Sequence, residues 1–71
     1  MKITTIIQWS NGMIMTLDKD GHEIPEYHGP RSKIVPKLKE LDLSGVIFAI
    51  GSWSEGTVKS SYAQFFSVGW D

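Results

Sequence analysis

Residues 3–17 decide the fold, and they read ITTIIQWSNGMIMTL. Two apolar, β-branched runs flank residues 10–12, and Ser-Asn-Gly at this point is typical of a three-residue hairpin loop closed by a left-handed glycine. The pairs predicted by this loop are Trp9 with Met13, Ile7 with Met15, and Thr5 with Leu17. We therefore expect strands at about residues 2–9 and 13–18.

The register of this hairpin follows from hydrophobic matching. Strand alternation puts one row of side chains on the face of those partners, namely Ile3, Thr5, Ile7 and Trp9. A two-residue Asn-Gly turn would shift the register by one residue and set this row against Ile14 and Thr16, so the three-residue loop is favoured.

A third extended piece and one helix are predicted next. Residues 23–27 are read as an edge strand, because Pro25 cannot donate a ladder hydrogen bond. Residues 33–42 have helical apolar spacing, which ends at Ser44-Gly45. The predicted apolar face consists of Ile34, Leu38 and Leu41. Pro36 is expected in the first helical turn, where a missing N–H costs nothing.

The last third is predicted to be strand throughout. Residues 46–51 alternate, residues 54–56 form a turn, and a long extended run covers residues 57–68. Loops of two and three residues pair these strands equally well, so both registers stay open. The fold class predicted for the single domain, residues 1–71, is α+β: an antiparallel sheet of about five strands in the order β-β-β-α-β-β, with the helix packed on one face.

Composition limits the function classes. The chain has 71 residues, no cysteine and a formal net charge of −1. Disulfides and thiolate metal sites are excluded, and a core this thin favours self-association as a source of stability. The near-neutral charge argues against general attraction to nucleic acid or membrane. No stretch has the apolar length of a signal peptide or membrane span, so we expect a cytoplasmic protein.

Two groups of side chains raise the question of metal or catalytic chemistry. Residues 18–23 contain Asp, Asp, Gly and Glu, but aligning Gly21 with the calcium-loop glycine puts Thr16 first and Tyr27 twelfth, so a solvated turn is the better interpretation. His22 and His28 lack the spacing of helical ligands, and no nucleophile with an oriented base can be named. We expect no metal, no cofactor and no enzymatic activity.

Aromatic and basic residues suggest two binding functions. Tryptophan, tyrosine and methionine are favoured at protein interfaces, and we expect partner contacts from exposed aromatics. The candidates are Trp9, Trp53, Phe66 and Trp70. The alternative is a small nucleic-acid-binding regulator that uses the basic cluster around the helix. Its candidates are Arg31, Lys33, Lys37 and Lys39.

The opening third also carries a resemblance. Its residues are a short strand, the turn at residues 9–13, an apolar strand ending in Asp18, Gly21, and the Pro-Glu-Tyr-His-Gly segment at residues 25–29. This pattern, over residues 3–29, resembles small uncharacterised bacterial proteins carried on phages and other mobile elements. The resemblance implies a bacterial or phage accessory protein. From the aromatic candidates, the expected function is non-enzymatic binding of a protein partner or of a second copy through an exposed strand edge and aromatic patch, as an accessory or regulatory module.

Overall fold

The computed structural model describes residues 2–52 and 54–67. Within these residues the strands are β1 (Ile3–Trp9), β2 (Met13–Asp18), β3 (Gly29–Pro30), β4 (Ile47–Ser52) and β5 (Gly56–Ser60). The helices are α1 (Arg31–Leu38) and α2 (Tyr62–Ser67), and a single 3-10 turn, Pro25–Tyr27, precedes β3.

The strands form one mixed sheet in the order β3-β2-β1-β4-β5. Neighbouring strands are antiparallel except β1 and β4, which run parallel. The predicted α+β class with five strands is confirmed, but the purely antiparallel sheet is wrong. After β1, the chain forms β2 and β3 towards one edge of the sheet. Helix α1 then carries it across the sheet, and β4 lies on the other edge of β1. A helical crossover of this kind delivers the next strand parallel to the first.

The first hairpin has the predicted register. The structure pairs Ile7 with Met15 and Thr5 with Leu17. Gly12 closes the loop with φ at 87°, and its N–H donates to the Trp9 carbonyl at 3.0 Å. The Asn11 side chain accepts the Met13 N–H at 3.0 Å, which holds the turn from within.

A bulge at Thr4 moves Ile3 away from its predicted face. The ladder passes from the Ile3–Asp18 pair to the Thr5–Leu17 pair, so Thr4 is the extra residue. Thr4 Oγ1 donates to the Asp18 carbonyl at 2.7 Å, with the Leu17 carbonyl at 3.3 Å. Ile3 packs against the core instead. Its predicted place beside Thr5 is wrong because a bulge reverses the alternation of the strand.

Helix α1 begins and ends earlier than residues 33–42. Its buried residues are Ile34, Val35 and Leu38. The predicted contact through Leu41 is wrong, since Leu41 lies beyond the helix and is 36% exposed. Pro36 lies in the second turn rather than the first, where its ring nitrogen offers no N–H to the Ser32 carbonyl. After Leu38 the chain tightens into turns, with the Leu41 N–H bonded to the Leu38 carbonyl.

Two other predicted strands are wrong. Residues 23–27 contribute a single bridge from Glu23 to Leu17 and the 3-10 turn, and the edge strand beside β2 is β3 instead. The run that starts near residue 57 stops at Ser60 and becomes α2. Ser61 explains the change, because its Oγ accepts the Gln64 N–H at 3.1 Å as a helix N-cap. The hairpin between β4 and β5 pairs Ser52 with Gly56.

The core lies between one face of the sheet and the two helices. Its buried cluster consists of Ile6, Ile14, Ile34, Val35, Leu38, Leu43, Phe48 and Phe65. Gln8 and Thr16 are buried on the same face, and each makes a side-chain hydrogen bond there. The helices therefore cover one side of the sheet only.

Candidate functional site

The second face of the sheet is the strongest candidate site. Because Ile6, Ile14 and Phe48 point into the core, their strand neighbours point to the opposite side. We call this opposite side the open face. It consists of Thr5, Ile7 and Trp9 of β1, Met13, Met15 and Leu17 of β2, Ile47, Ala49 and Gly51 of β4, and Thr57 and Lys59 of β5. Across residues 2–52 and 54–67, both helices and the 3-10 turn pack on the core side.

Apolar side chains fill the centre of the open face. Ile7, Met15 and Leu17 shield one another and remain only partly exposed, whereas Ile47 is 45% exposed. Ala49 is buried and lies in the ladder between Ile7 and Lys59, whose side chains are longer. The face therefore has long apolar side chains along β1 and β2 and a small side chain at Ala49 beside them.

Among the described strand residues and Glu23, which bridges to β2, the charges of this face lie at its two margins. Lys59 lies on β5, opposite Ala49. On the other margin, Glu23 bridges to Leu17 and so points to the same side, and its carboxylate contacts His28 Nδ1 at 3.1 Å. The open face thus carries a cation at one margin and a carboxylate at the other.

The predicted aromatic anchors do not form one patch in the described part of the chain. Trp9 lies partly buried on the open face. Phe66 lies on the helix side, with its ring centroid 4.9 Å from that of Phe65 and 4.6 Å from that of Tyr62. Trp53 and Trp70 are outside the described residues. Trp9 is accordingly the one predicted anchor that the structure locates on the open face.

Members of the predicted basic cluster make contacts within the protein. Arg31 donates through Nε to Gln8 Oε1 at 2.9 Å and through Nη2 to the Phe66 carbonyl at 3.2 Å. Lys37 donates to the Glu26 carbonyl at 3.1 Å. Lys39 Nζ lies 5.8 Å from the centroid of the Phe66 ring. Lys33 is exposed.

In the turn that was compared with a calcium loop, the Asp18 side chain is hydrogen-bonded to the backbone of the turn. Ligand atoms of Asp18, Asp20 and His22 lie within 4.8 Å of one another. Asp18 Oδ1 already accepts the N–H groups of Asp20 at 2.8 Å and of His22 at 3.0 Å. The His22 bond is the main cause that lowers the pKa of Asp18 below its ordinary value. The hydrogen bonds of the Asp18 carboxylate to backbone N–H groups thus explain why these three side chains lie close together in a turn.

A groove of about 610 Å³ opens on the core side of the molecule. It runs between the segment before β4 and the start of α2 and includes Ser44, Ser60 and Tyr62. Ser44 Oγ donates to Asp42 Oδ1 at 2.7 Å, and this bond lowers the pKa of Asp42. Ser60 Oγ is buried and has no hydrogen-bond partner among the described residues, so no base orients it as a nucleophile.

The part of the open face on β4 and β5 escaped sequence reasoning. The predicted row of β1 and β2 contains Thr5, Ile7 and Trp9, but its continuation through Ile47 and Ala49 depends on β4 lying beside β1. The signal within the sequence is the unbroken apolar run at residues 47–50 of β4, which is typical of a strand covered on both faces.

The comparisons give no relative. Neither the protein-family models, the curated proteins nor the solved structures contain a match to this chain. Among the described helices, none is long and apolar enough to cross a membrane.

Proposed function

We propose that this protein is a small non-enzymatic binding module whose open face docks against another protein surface. One observation carries the proposal: the described helices and turns cover one side of the sheet, while an apolar row that includes Ile7, Met15 and Ile47 faces the other. Contiguous apolar surface with charges confined to its margins is typical of a protein interface. In keeping with the resemblance of residues 3–29, the module is an accessory or regulatory protein of bacterial or phage origin.

The side chains of the open face suit this function. Methionine adapts to irregular surfaces, and tryptophan provides a large contact area with few rotatable bonds. Met13 and Met15 lie on β2, next to Trp9 on β1. Nucleic acid is a poorer fit to this face, because the strand positions named above include Lys59 as their single cation.

The test is affinity capture with tagged protein, in the presence of nuclease and with identification by mass spectrometry. We compare wild type with Met15→Glu, which places a charge in the centre of the open face, and with Met13→Glu, which places one at its end beside the hairpin turn. The control is Lys33→Glu, which changes an exposed position on α1. Far-UV circular dichroism establishes that each variant is folded. Two open-face variants are used so that the test survives if one fails to fold.

The expected result is one stoichiometric, identified protein that survives nuclease and is lost with folded Met15→Glu or Met13→Glu but not with Lys33→Glu. Untagged copies of this chain count as such a partner. Recovery that disappears with nuclease and with Lys33→Glu would overturn the proposal in favour of the basic cluster. Recovery that is indifferent to all variants would overturn it as well.

A further inference from the structure

The side chains and charges of the open face indicate what binds to it. We infer that its partner is a second copy of this chain, docked open face to open face about a two-fold axis that runs along β1. This inference rests on the proposed function and names the partner of that same surface. The argument depends on which residues such an axis brings together.

A two-fold axis along β1 places long side chains of one copy over small side chains of the other. A two-fold axis along β1 turns the sheet over and exchanges its sides, so β2 of one copy lies over β4 of the other. Met15 and Ala49 both pair with Ile7, on opposite sides of β1, and therefore lie at the same height along the strand. Each long Met15 side chain consequently lies over the small Ala49 side chain of the other copy, and this contact is made twice.

The same axis matches the marginal charges. Lys59 lies two strands from β1 on one side, and Glu23 lies two positions away on the other, beyond β2. Turning the sheet over about β1 brings β5 of each copy over the margin of the other that carries Glu23 and His28. Lys59 is level with Ile7 and Glu23 with Thr5, so about 7 Å along the strand separates them, a distance that a lysine side chain spans. A two-fold axis perpendicular to the strands would instead place β5 of one copy over β5 of the other. Lys59 of one copy would then lie near Lys59 of the other, and like charges in contact are unfavourable. The charges therefore select one orientation.

The area is sufficient for a weak dimer. Four long strands spaced at about 4.8 Å, each about 20 Å long, give a projected surface of roughly 400 Å² per copy. With the relief of the side chains, two copies bury on the order of 1,000 Å² in total, which is the lower limit for a specific interface. We expect a dissociation constant in the micromolar range.

Sedimentation equilibrium of the untagged chain from about 1 μM to 1 mM tests the inference, because this range brackets a micromolar dimer. Wild type is expected to pass from monomer to dimer. Lys59→Glu and Glu23→Lys are each expected to weaken the dimer about tenfold, and the double variant Lys59→Glu/Glu23→Lys to restore it. Val58→Lys is the matched control on β5, because Val58 pairs with Ile50 and points to the core side of the sheet, where it is 71% exposed. It is expected to leave the dimer unchanged.

Three results would overturn the inference. Wild type that stays monomeric to 1 mM would do so, as would a dimer that ignores Lys59→Glu and Glu23→Lys, or one that Val58→Lys alone dissociates, which would indicate pairing along β5. If the chain is monomeric but Met15→Glu still abolishes capture of a different protein, the inference fails and the proposed function stands. If neither assay responds to the open face, both fail.

Discussion

Arg31 Nε donates to Gln8 Oε1 at 2.9 Å, and this bond joins the first residue of α1 to the centre of the sheet. The other end of the Gln8 amide donates through Nε2 to the Phe65 carbonyl at 3.3 Å. Gln8 is fully buried, and one amide thus ties the start of α1 and the last turn of α2 to β1. Both helices depend on this polar contact as well as on the core.

The first prediction concerns that amide. Gln8→Met keeps the approximate shape of the side chain but removes both hydrogen bonds and leaves the Phe65 carbonyl without this partner. We expect the free energy of unfolding to fall by about 1–3 kcal/mol. Gln64→Met makes the same change at an exposed position of α2, where an effect within about 0.5 kcal/mol is expected. Urea denaturation measures both, and equal values for the two variants would refute the role of Gln8.

Leu38 and Leu41 give the second prediction. Leu38 is fully buried and Leu41 is 36% exposed. Leu38→Ala is expected to cost about 2–5 kcal/mol of unfolding free energy, because it leaves a cavity in the core. Leu41→Ala is expected to cost less than about 1 kcal/mol. Comparable losses in thermal or urea unfolding would mean that the helix continues to Leu41, as its apolar spacing had suggested.

The sequence predicts local structure better than the contacts made between distant segments. The hairpin at residues 10–12 is correct because turn chemistry and cross-strand matching act within a few residues of each other. The parallel pairing of β1 with β4 depends on the path of α1, to which no local pattern points. Helix α2 is missed because its aromatic side chains favour strand by propensity, whereas burial of Phe65 against Phe48, at a centroid distance of 5.0 Å, stabilises the helix.

The candidate site follows the same division. Trp9 is found by the sequence because it flanks the hairpin turn. Lys59, Glu23 and Ala49 join the open face only through the order of the strands, which places Ala49 beside Ile7, far away in the chain. Pairing of this kind cannot be read from the alternation of one segment alone.

Pro36 gives the third prediction. It is exposed in the second turn of α1 and lacks the N–H that would bond to the Ser32 carbonyl. A proline in the interior of a helix destabilises it by about 3 kcal/mol. Replacing the proline also makes the unfolded chain more flexible, which lowers the free energy of unfolding by about 0.4–1 kcal/mol. Pro36→Ala is therefore expected to raise the free energy of unfolding by about 2 kcal/mol. Lys33→Ala, an exposed control on the same helix, is expected to change it by less than about 0.5 kcal/mol. A fall in the urea midpoint with Pro36→Ala would contradict this account.

The fourth prediction concerns acid stability. The N–H groups of His22 and Asp20 lower the pKa of Asp18 in the folded state. The unfolded chain therefore binds a proton first as the pH falls, so this contribution to stability is complete above about pH 4 and is lost as the pH falls through the folded pKa. Asp18→Asn keeps an oxygen acceptor but does not titrate. The difference in unfolding free energy between wild type and Asp18→Asn is expected to shrink from pH 7 to pH 2, and a constant difference would exclude the carboxylate as its source.

The last prediction separates two reasons for glycine. A Cβ at Gly51 would collide with the Gly56 carbonyl oxygen, which is backbone, whereas at Gly45 the space is empty and only φ, at 81°, disfavours a side chain. Both Gly51→Ala and Gly45→Ala are expected to destabilise the fold by about 1–3 kcal/mol. Asparagine tolerates the left-handed region, so Gly45→Asn is expected to recover much of the loss in thermal unfolding. Gly51→Asn is expected to recover none, because the collision remains. Recovery at both positions would mean that β5 yields at Gly56, and that the pairing of β4 with β5 is looser than the observed ladder.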